Sequence, residues 1–151
     1  MTDDIIDATK FKVARMRPPG SEPILVVDIK GVDLEGKTCE IDISKCPKKV
    51  VLAFLSRGCQ SCVRIWSEAV EGVKMLPEDS IFAVVTKDLD FEDNQGDGDP
   101  GLGQIPVICS TKAWHDYQVP GNSHIVIIDT ELKKVVEESG ALNWAQVMSL
   151  T

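Results

Sequence analysis

Two apolar runs and an amphipathic segment dominate the centre of the chain. Residues 50–55 and 81–85 are apolar at nearly every position, which is typical of strands buried on both faces of a sheet. Between them, apolar residues recur at spacings of three and four, and this period predicts a helix that ends at Pro77. The residues of that stripe are Val63, Trp66, Val70 and Val73.

Shorter runs before this centre predict a hairpin. Residues 24–27 form an apolar run between Pro23 and Gly31, and residues 38–43 alternate between apolar and polar positions. The intervening segment contains Gly36, a turn residue. We therefore predict that residues 24–27 and 38–43 are paired strands.

The C-terminal third predicts three further elements. Residues 107–109 are a short apolar run followed by a helical turn around Trp114. Residues 125–128 and 132–138 indicate a second hairpin, and Asn143 with Gln146 three residues later is typical of a helix start. A strand–helix–strand unit makes a right-handed parallel crossover. The predicted fold class is therefore α/β, with a mixed central sheet, helices on both faces and an N-terminal β-hairpin.

The domain boundary follows from a cluster of breaker residues. Arg17, two prolines and Gly20 follow a segment without a sustained period. We predict an N-terminal arm over residues 1–19 and one domain over residues 20–151. A chain of 151 residues buries roughly 70% of the surface that its unfolded form exposes, which suits one domain.

Charge and composition narrow the function classes. The chain has 24 acidic and 16 Lys and Arg residues, a net charge of −8, and 43% hydrophobic residues. Such a chain repels nucleic acid and anionic lipid, so we expect neither as a partner. No run is long enough to span a membrane, and the acidic N-terminus does not match a secretory signal. The sequence as written therefore favours the cytoplasm and no membrane insertion.

Cys59 and Cys62 lie where a buried strand becomes a helix. Five cysteines cannot all pair within one chain, so each is considered separately. At this position the helix N-terminus stabilises a thiolate on Cys59, and Arg57 adds positive potential. Cys62 lies in the first helical turn, where its sulfur can attack a mixed disulfide formed at Cys59. The spacing favours redox chemistry.

A zinc or iron–sulfur half-site is the structural alternative for the same pair. Such a site needs a second close pair of ligands, and no other CxxC, CxxH or HxxxH is present. We interpret Cys39 as a small core residue and Cys46 as an exposed loop thiol. Cys109 is interpreted as an inert packed thiol, with a secondary redox role as the alternative.

The chain resembles the thioredoxin-fold family over residues 20–150. Residues 53–62, which end in the CxxC, are similar to the strand and active-site turn of the TlpA-like branch, especially the methylamine-dehydrogenase maturation proteins of the MauD type. Residues 105–110, 117–119, 126–129 and 141–150 match in order and spacing. The resemblance implies thiol–disulfide exchange with a protein partner.

Within that resemblance, Cys59 is the attacking and Cys62 the resolving cysteine. The active-site turn also contributes Gly58, Gln60 and Ser61 as supporting residues, beside Arg57. The redox-active disulfide Cys59–Cys62 would be the only cofactor. A MauD-type protein would place this domain outside the cytoplasm, as the alternative to the cytoplasmic interpretation.

Ser123 is where the chain departs from the family. Thioredoxin-like proteins carry a cis-proline before the strand that faces the CxxC, and alignment on residues 126–129 puts Ser123 there. A cis bond before a non-proline residue costs about 3–4 kcal/mol, so we expect a trans bond. We count Ser123 among the supporting residues and expect the substitution Ser123→Pro to keep or improve exchange.

His124 raises two other functions. Sco-type copper chaperones are also thioredoxin-like and use two cysteines with a distant histidine, although their cysteine motif is CxxxC. The alternative function is therefore a copper-binding module using Cys59, Cys62 and His124. As a structural residue, His124 at a strand start would be on the surface. A third interpretation is a redox-inactive thioredoxin-like interaction domain.

Overall fold

Seven strands form one mixed sheet at the centre of the molecule. A computed structural model describes residues 24–56, 59–88, 105–121 and 123–151. The strands are β1 (Ile29–Val32), β2 (Thr38–Ile41), β3 (Lys49–Phe54), β4 (Ser80–Thr86), β5 (Val107–Cys109), β6 (His124–Asp129) and β7 (Lys134–Gly140). The helices are α1 (Gln60–Gly72), α2 (Thr111–Asp116) and α3 (Trp144–Leu150). Short 3-10 turns span Ile43–Lys45 and Val73–Met75.

The sheet has the order β2-β1-β5-β4-β3-β6-β7. β3 pairs parallel with β4 and antiparallel with β6, and each pairing runs over six residue pairs. β5 pairs parallel with β4, β1 pairs antiparallel with both β5 and β2, and β7 pairs antiparallel with β6. The edge strands are therefore β2 and β7. This arrangement confirms the predicted mixed sheet with helices on both faces and a hairpin near the N-terminus.

Alternating side chains of the central strands build two separate cores. On what we call the α1 face, odd-numbered residues of β3 and β6 pack against α1 and α3, and this face includes Cys62, Trp66, Ile125 and Ile127. On the α2 face, even-numbered residues pack against α2 and against residues 24 and 26. Because both faces are covered, all but the first residue of β3 are buried, which explains the continuous apolar run.

Helix α3 is fastened to α1 by its first residues. The Asn143 side chain accepts a hydrogen bond from the Gln146 amide at 2.9 Å, and the Gln146 side chain accepts one from the Leu142 amide. The Glu68 carboxylate of α1 accepts the Trp144 amide at 2.9 Å. These bonds satisfy amides that a helix start leaves open, so the predicted start of this helix is confirmed.

The N-terminal hairpin exists, but its first strand was predicted too early. Residues 24–27 do not form a strand, apart from an isolated bridge between Leu25 and Lys134, and β1 begins at Ile29. The Tyr117 hydroxyl accepts the Val27 amide at 3.1 Å and donates to the Val27 carbonyl. A side chain therefore takes the backbone groups that a strand ladder would have used, and residues 24–28 cross the α2 face instead.

The predicted boundary between residues 19 and 20 lies outside the described residues and stays a prediction. Among the residues that the structure describes, no helix is long and apolar enough to cross a membrane.

Candidate active site

Cys59 and Cys62 lie at the junction between β3 and α1. Cys59 is the N-cap of α1, with extended backbone angles, and its sulfur accepts the Cys62 amide at 3.3 Å. Cys62 is fully buried, and its sulfur accepts the Ser56 amide at 3.3 Å. Both cysteines carry free thiols in the structure. The helix start thus holds a half-buried sulfur above a buried one.

Two serine hydroxyls connect these sulfurs. The oxygens of Ser61 and Ser123 lie 2.6 Å apart. Ser61 Oγ is 3.3 Å from the Cys59 sulfur, and Ser123 Oγ is 3.2 Å from the Cys62 sulfur and 3.6 Å from the Cys59 sulfur. Ser123 is almost completely buried, and it touches both thiols.

The backbone fixes Ser123 at the entrance to β6. Its carbonyl accepts the Ala141 amide at 2.9 Å. Its φ is 61°, in the left-handed region that only a few percent of residues other than glycine adopt. A proline ring locks φ near −65°, so proline cannot take this backbone conformation. The backbone conformation thus argues against the expectation that Ser123→Pro keeps exchange, and that expectation stays a prediction.

Hydrogen bonds make the Cys59 thiol acidic. Partial burial acts to raise its pKa, but hydrogen bonds from the side chains of Cys62, Ser61 and Ser123 and from the Cys62 amide outweigh burial. Together they lower the pKa of Cys59 to about 7. Because the thiolate is the nucleophile, Cys59 is partly in its reactive form at neutral pH.

The Cys62 thiol behaves in the opposite way. Burial and the neighbouring Cys59 raise its pKa to about 11, against smaller lowering effects from Ser123 and the Ser56 amide. Cys62 therefore stays protonated while Cys59 is ionised. The difference in pKa thus suits Cys59 to the attacking role and Cys62 to the resolving role.

Comparison with solved structures agrees with this architecture. An exposed lipoprotein thioredoxin of Streptococcus pneumoniae aligns with a TM-score of 0.63 and 22% identity, over 81% of this chain and 96% of its own. A thiol:disulfide interchange protein of a Bacteroides species aligns with a TM-score of 0.59 and 17% identity, over 85% and 87% of the two chains. StoA of Bacillus subtilis aligns with a TM-score of 0.60 and 13% identity, over 83% and 96%. The chain has the thioredoxin fold. No family model and no curated protein sequence matches it.

The structure describes only some of the other supporting residues predicted for the thioredoxin-like turn. Arg57 and Gly58 lie outside the described residues, so their roles stay predictions. Gln60 is exposed at the first position of α1, while Ser61 supplies the hydroxyl contact. The bond before Ser123 joins it to Asn122, which is not described, so the trans bond also stays a prediction.

His124 faces away from the thioredoxin-like cysteine pair. Ser123 contacts the Cys62 sulfur on the α1 face, whereas His124 pairs with Phe54 of β3 on the α2 face. Its Nε2 lies 3.0 Å from a Glu138 carboxylate oxygen, and only 1% of its surface is exposed. The expectation of a surface residue is thus wrong. The imidazole lies on the face opposite the thiols, which argues against its role as a ligand beside them.

No metal centre forms from the predicted ligands. Over the described parts of the chain, no three side chains of His, Cys, Asp or Glu come together in a way that could hold a metal ion. This includes the set Cys59, Cys62 and His124. The pairing of His124 with Phe54 places the imidazole on the α2 face, whereas the sulfurs lie on the α1 face.

The other three cysteines lie away from the sulfur pair. Cys109 is buried in β5, and Cys39 packs against the α2-face core, as predicted. Cys46, predicted to be exposed, is half-buried, and its thiol donates to the Asp42 carbonyl at 3.3 Å. Burial and nearby carboxylates raise the pKa of both Cys39 and Cys46, which keeps them as thiols at neutral pH.

The amide of Ser56 is a functional group that sequence reasoning missed. It donates to the Cys62 sulfur from the residue where β3 has already ended. The chain pattern shows only that a strand stops near this position. The contact joins the strand end to the first turn of α1, six positions further along the chain, and no hydrophobic period indicates it.

Proposed function

We propose that this chain is a thiol–disulfide oxidoreductase that exchanges disulfides with a protein partner, with Cys59 as nucleophile and Cys62 as resolving thiol. The observation that carries the proposal is the geometry of the pair. An accessible sulfur caps a helix, and a second, buried sulfur lies within the same hydrogen-bonded cluster. The redox-active disulfide between them would be the only cofactor.

The exchange proceeds in two balanced steps. The Cys59 thiolate attacks one sulfur of the partner disulfide, and the other partner sulfur leaves as a thiolate. The Cys62 sulfur then loses its proton and attacks Cys59, which releases the second partner sulfur. The partner gains two electrons and two protons, one from Cys62 and one from solvent in place of the proton that Cys59 released on ionising. The chain is left with the Cys59–Cys62 disulfide. The reverse sequence oxidises a partner dithiol.

The lowered pKa of Cys59 bears on the reduction potential of the cysteine pair. Hydrogen bonds that stabilise the Cys59 thiolate stabilise the reduced form of the protein, and a stabilised reduced form makes the disulfide a stronger oxidant. We therefore expect a reduction potential above that of a dithiol whose attacking cysteine has an ordinary pKa.

The finer assignment follows the resemblance of residues 53–62 to the TlpA-like branch and the MauD-type maturation proteins. The Bacteroides neighbour is described as a thiol:disulfide interchange protein, and the pneumococcal one as an exposed lipoprotein. The first description supports an exchange role, and the second supports an extracytoplasmic location.

Thiol trapping across a series of glutathione redox buffers tests the function. The protein should show one reversible two-electron transition that requires both Cys59 and Cys62, and Cys46→Ser is the matched control that leaves it in place. The variant Cys62→Ser should hold partner proteins as mixed disulfides at Cys59. Absence of a Cys59–Cys62 disulfide at every potential would support the interaction-domain alternative and end this proposal.

A further inference from the structure

In the function proposed above, on which this inference rests, Cys62 must attack the mixed disulfide at Cys59, and this attack requires a proton transfer. Cys62 has no exposed surface, and its thiol must lose a proton before it attacks. The groups that act on its protonation are Cys59, Ser123 and the Ser56 amide, and no carboxylate is among them in the described part of the chain. Neither histidine can serve as the base, because His124 lies on the α2 face and His115 is exposed on α2.

An unbroken chain of hydroxyls leads from the Cys62 sulfur towards the surface. Ser123 Oγ is 3.2 Å from Cys62 Sγ, Ser61 Oγ is 2.6 Å further on, and Cys59 Sγ is 3.3 Å beyond Ser61. A hydroxyl can accept one proton while it donates another, so each serine can pass a proton without becoming charged. Ser61 is half-buried in the first turn of α1, beside the sulfur to which the partner is bound.

We propose that Ser123 and Ser61 form a proton relay that deprotonates Cys62 during resolution and delivers the proton to the departing partner sulfur. Ser123 accepts the Cys62 proton and donates its own to Ser61. Ser61 donates its proton to the partner sulfur that is leaving Cys59. The Cys62–Cys59 bond forms, the Cys59–partner bond breaks, and its electron pair stays on the partner sulfur, which departs as a neutral thiol.

The backbone of Ser123 supports this assignment. A φ of 61° is unfavourable for serine, yet it directs the hydroxyl between both sulfurs on the α1 face. The 2.6 Å separation of the two hydroxyl oxygens is at the short end for neutral hydroxyl groups and suits proton transfer. Both serines contact the Cys59 sulfur, Ser61 at 3.3 Å and Ser123 at 3.6 Å, but Ser123 alone contacts the Cys62 sulfur. The relay therefore starts at Ser123 and takes the shorter contact, through Ser61, to the site of departure.

Rapid acid quenching after mixing with hydroxyethyl disulfide tests the relay. Intact-mass measurement then separates the reduced chain, the Cys59 mixed disulfide and the Cys59–Cys62 disulfide. In the unsubstituted protein, decay of the mixed disulfide should be nearly independent of pH between about 6 and 8, because the leaving aliphatic thiolate takes the proton internally. With an aromatic disulfide, whose leaving thiolate is weakly basic, decay should rise with pH.

Removing either hydroxyl should slow resolution selectively. In Ser123→Ala and Ser61→Ala, we expect decay of the aliphatic mixed disulfide to slow by at least about tenfold and to rise about tenfold per pH unit, as hydroxide becomes the base. Ser61→Thr keeps a hydroxyl and should restore the flat profile. Ser123→Gly, which accepts the left-handed backbone, should resemble Ser123→Ala, and Ser67→Ala is the matched control on the exposed side of α1.

The outcomes separate the relay from the underlying function. Unchanged decay rates and pH profiles in both alanine variants would overturn the relay while the exchange function stands. A slower first attack alone, with resolution unaffected, would also overturn it, since both serines would then only stabilise the Cys59 thiolate. An unsubstituted protein that forms neither mixed nor internal disulfide would overturn the exchange function and the relay together.

Discussion

Two consecutive polar residues at the entrance to β6 serve opposite faces of the sheet. On the α1 face, Ser123 contacts both sulfurs and Ser61. On the α2 face, His124 is buried beside Phe54 and pairs with Glu138. A shift of one residue along a strand moves a side chain to the opposite face, so adjacent residues here belong to different cores.

The difference shows that chemical type is a weaker guide than strand parity. His124 has the more versatile side chain, yet it stabilises the fold, whereas the small hydroxyl of Ser123 reaches the reactive pair. Nearness in sequence to a predicted site carries little information inside a sheet. A candidate ligand on a strand should first be assigned to a face.

The largest expected effect is a loss of exchange activity on substitution on the α1 face but not on the α2 face. Cys59→Ser should abolish disulfide exchange with insulin while leaving the circular dichroism spectrum unchanged, because the nucleophile is lost and only one atom is replaced. His124→Gln, on the other face, should keep exchange for each folded molecule. If His124→Gln is as inactive as Cys59→Ser while remaining folded, the division between a reactive and a structural face is wrong.

Removing the imidazole should cost stability on the α2 face. His124→Ala creates a buried cavity and takes away the partner of Glu138, so we expect a loss of about 2–4 kcal/mol in the free energy of unfolding. Urea denaturation measures this loss. Affinity for Cu(I) should equal that of the unsubstituted protein, and a large decrease would restore the metal alternative.

Proline in place of Ser123, on the α1 face, should also destabilise the protein. Ser123→Pro requires a φ near −65° where the structure has 61°, so the entrance to β6 must rearrange. We expect a loss of roughly 2 kcal/mol and slower exchange. Ser123→Gly is the control that keeps the backbone conformation. Improved exchange by the proline variant would show that the chain can adopt the groove of its thioredoxin-like relatives.

The smallest expected effect is a shift in the pH profile of Cys59. Alkylation by iodoacetamide should have a midpoint near the pKa of about 7 and fall tenfold per pH unit below it, as the thiolate becomes protonated. Ser61→Ala removes a hydrogen bond to the thiolate and should raise the midpoint by roughly one unit, equivalent to about 1.4 kcal/mol. Mass mapping assigns the modified cysteine. A midpoint unchanged in Ser61→Ala would contradict the contribution of that hydroxyl.

The central elements could be predicted because their patterns are local. Each central element has its own apolar pattern in the sequence, a helical period for α1 and a continuous run for residues 50–55 and 81–85. The apolar content of β3 already indicates burial on both faces. The cysteine pair followed from its place between them. These features depend on neighbours in sequence.

The rest required tertiary contacts that no local pattern contains. The first hairpin strand moved because a hydroxyl from Tyr117, 90 residues away, binds the backbone of Val27. The hydroxyl cluster joins Ser61 to Ser123 across 62 positions. Position 123 was identified by family alignment as a departure from proline, but its contact with both sulfurs follows from a left-handed backbone that the residue type does not predict.

The attachment of the N-terminal hairpin has a consequence for how the molecule opens. β3 is held by six residue pairs on each side, whereas β1 meets β5 through the single pair Val32 and Cys109. Amide hydrogen exchange should therefore proceed in at least two tiers, with β1 and β2 exchanging through a sub-global opening. Since the sulfurs depend on β3, β6 and α1, brief release of the hairpin leaves the reactive centre assembled.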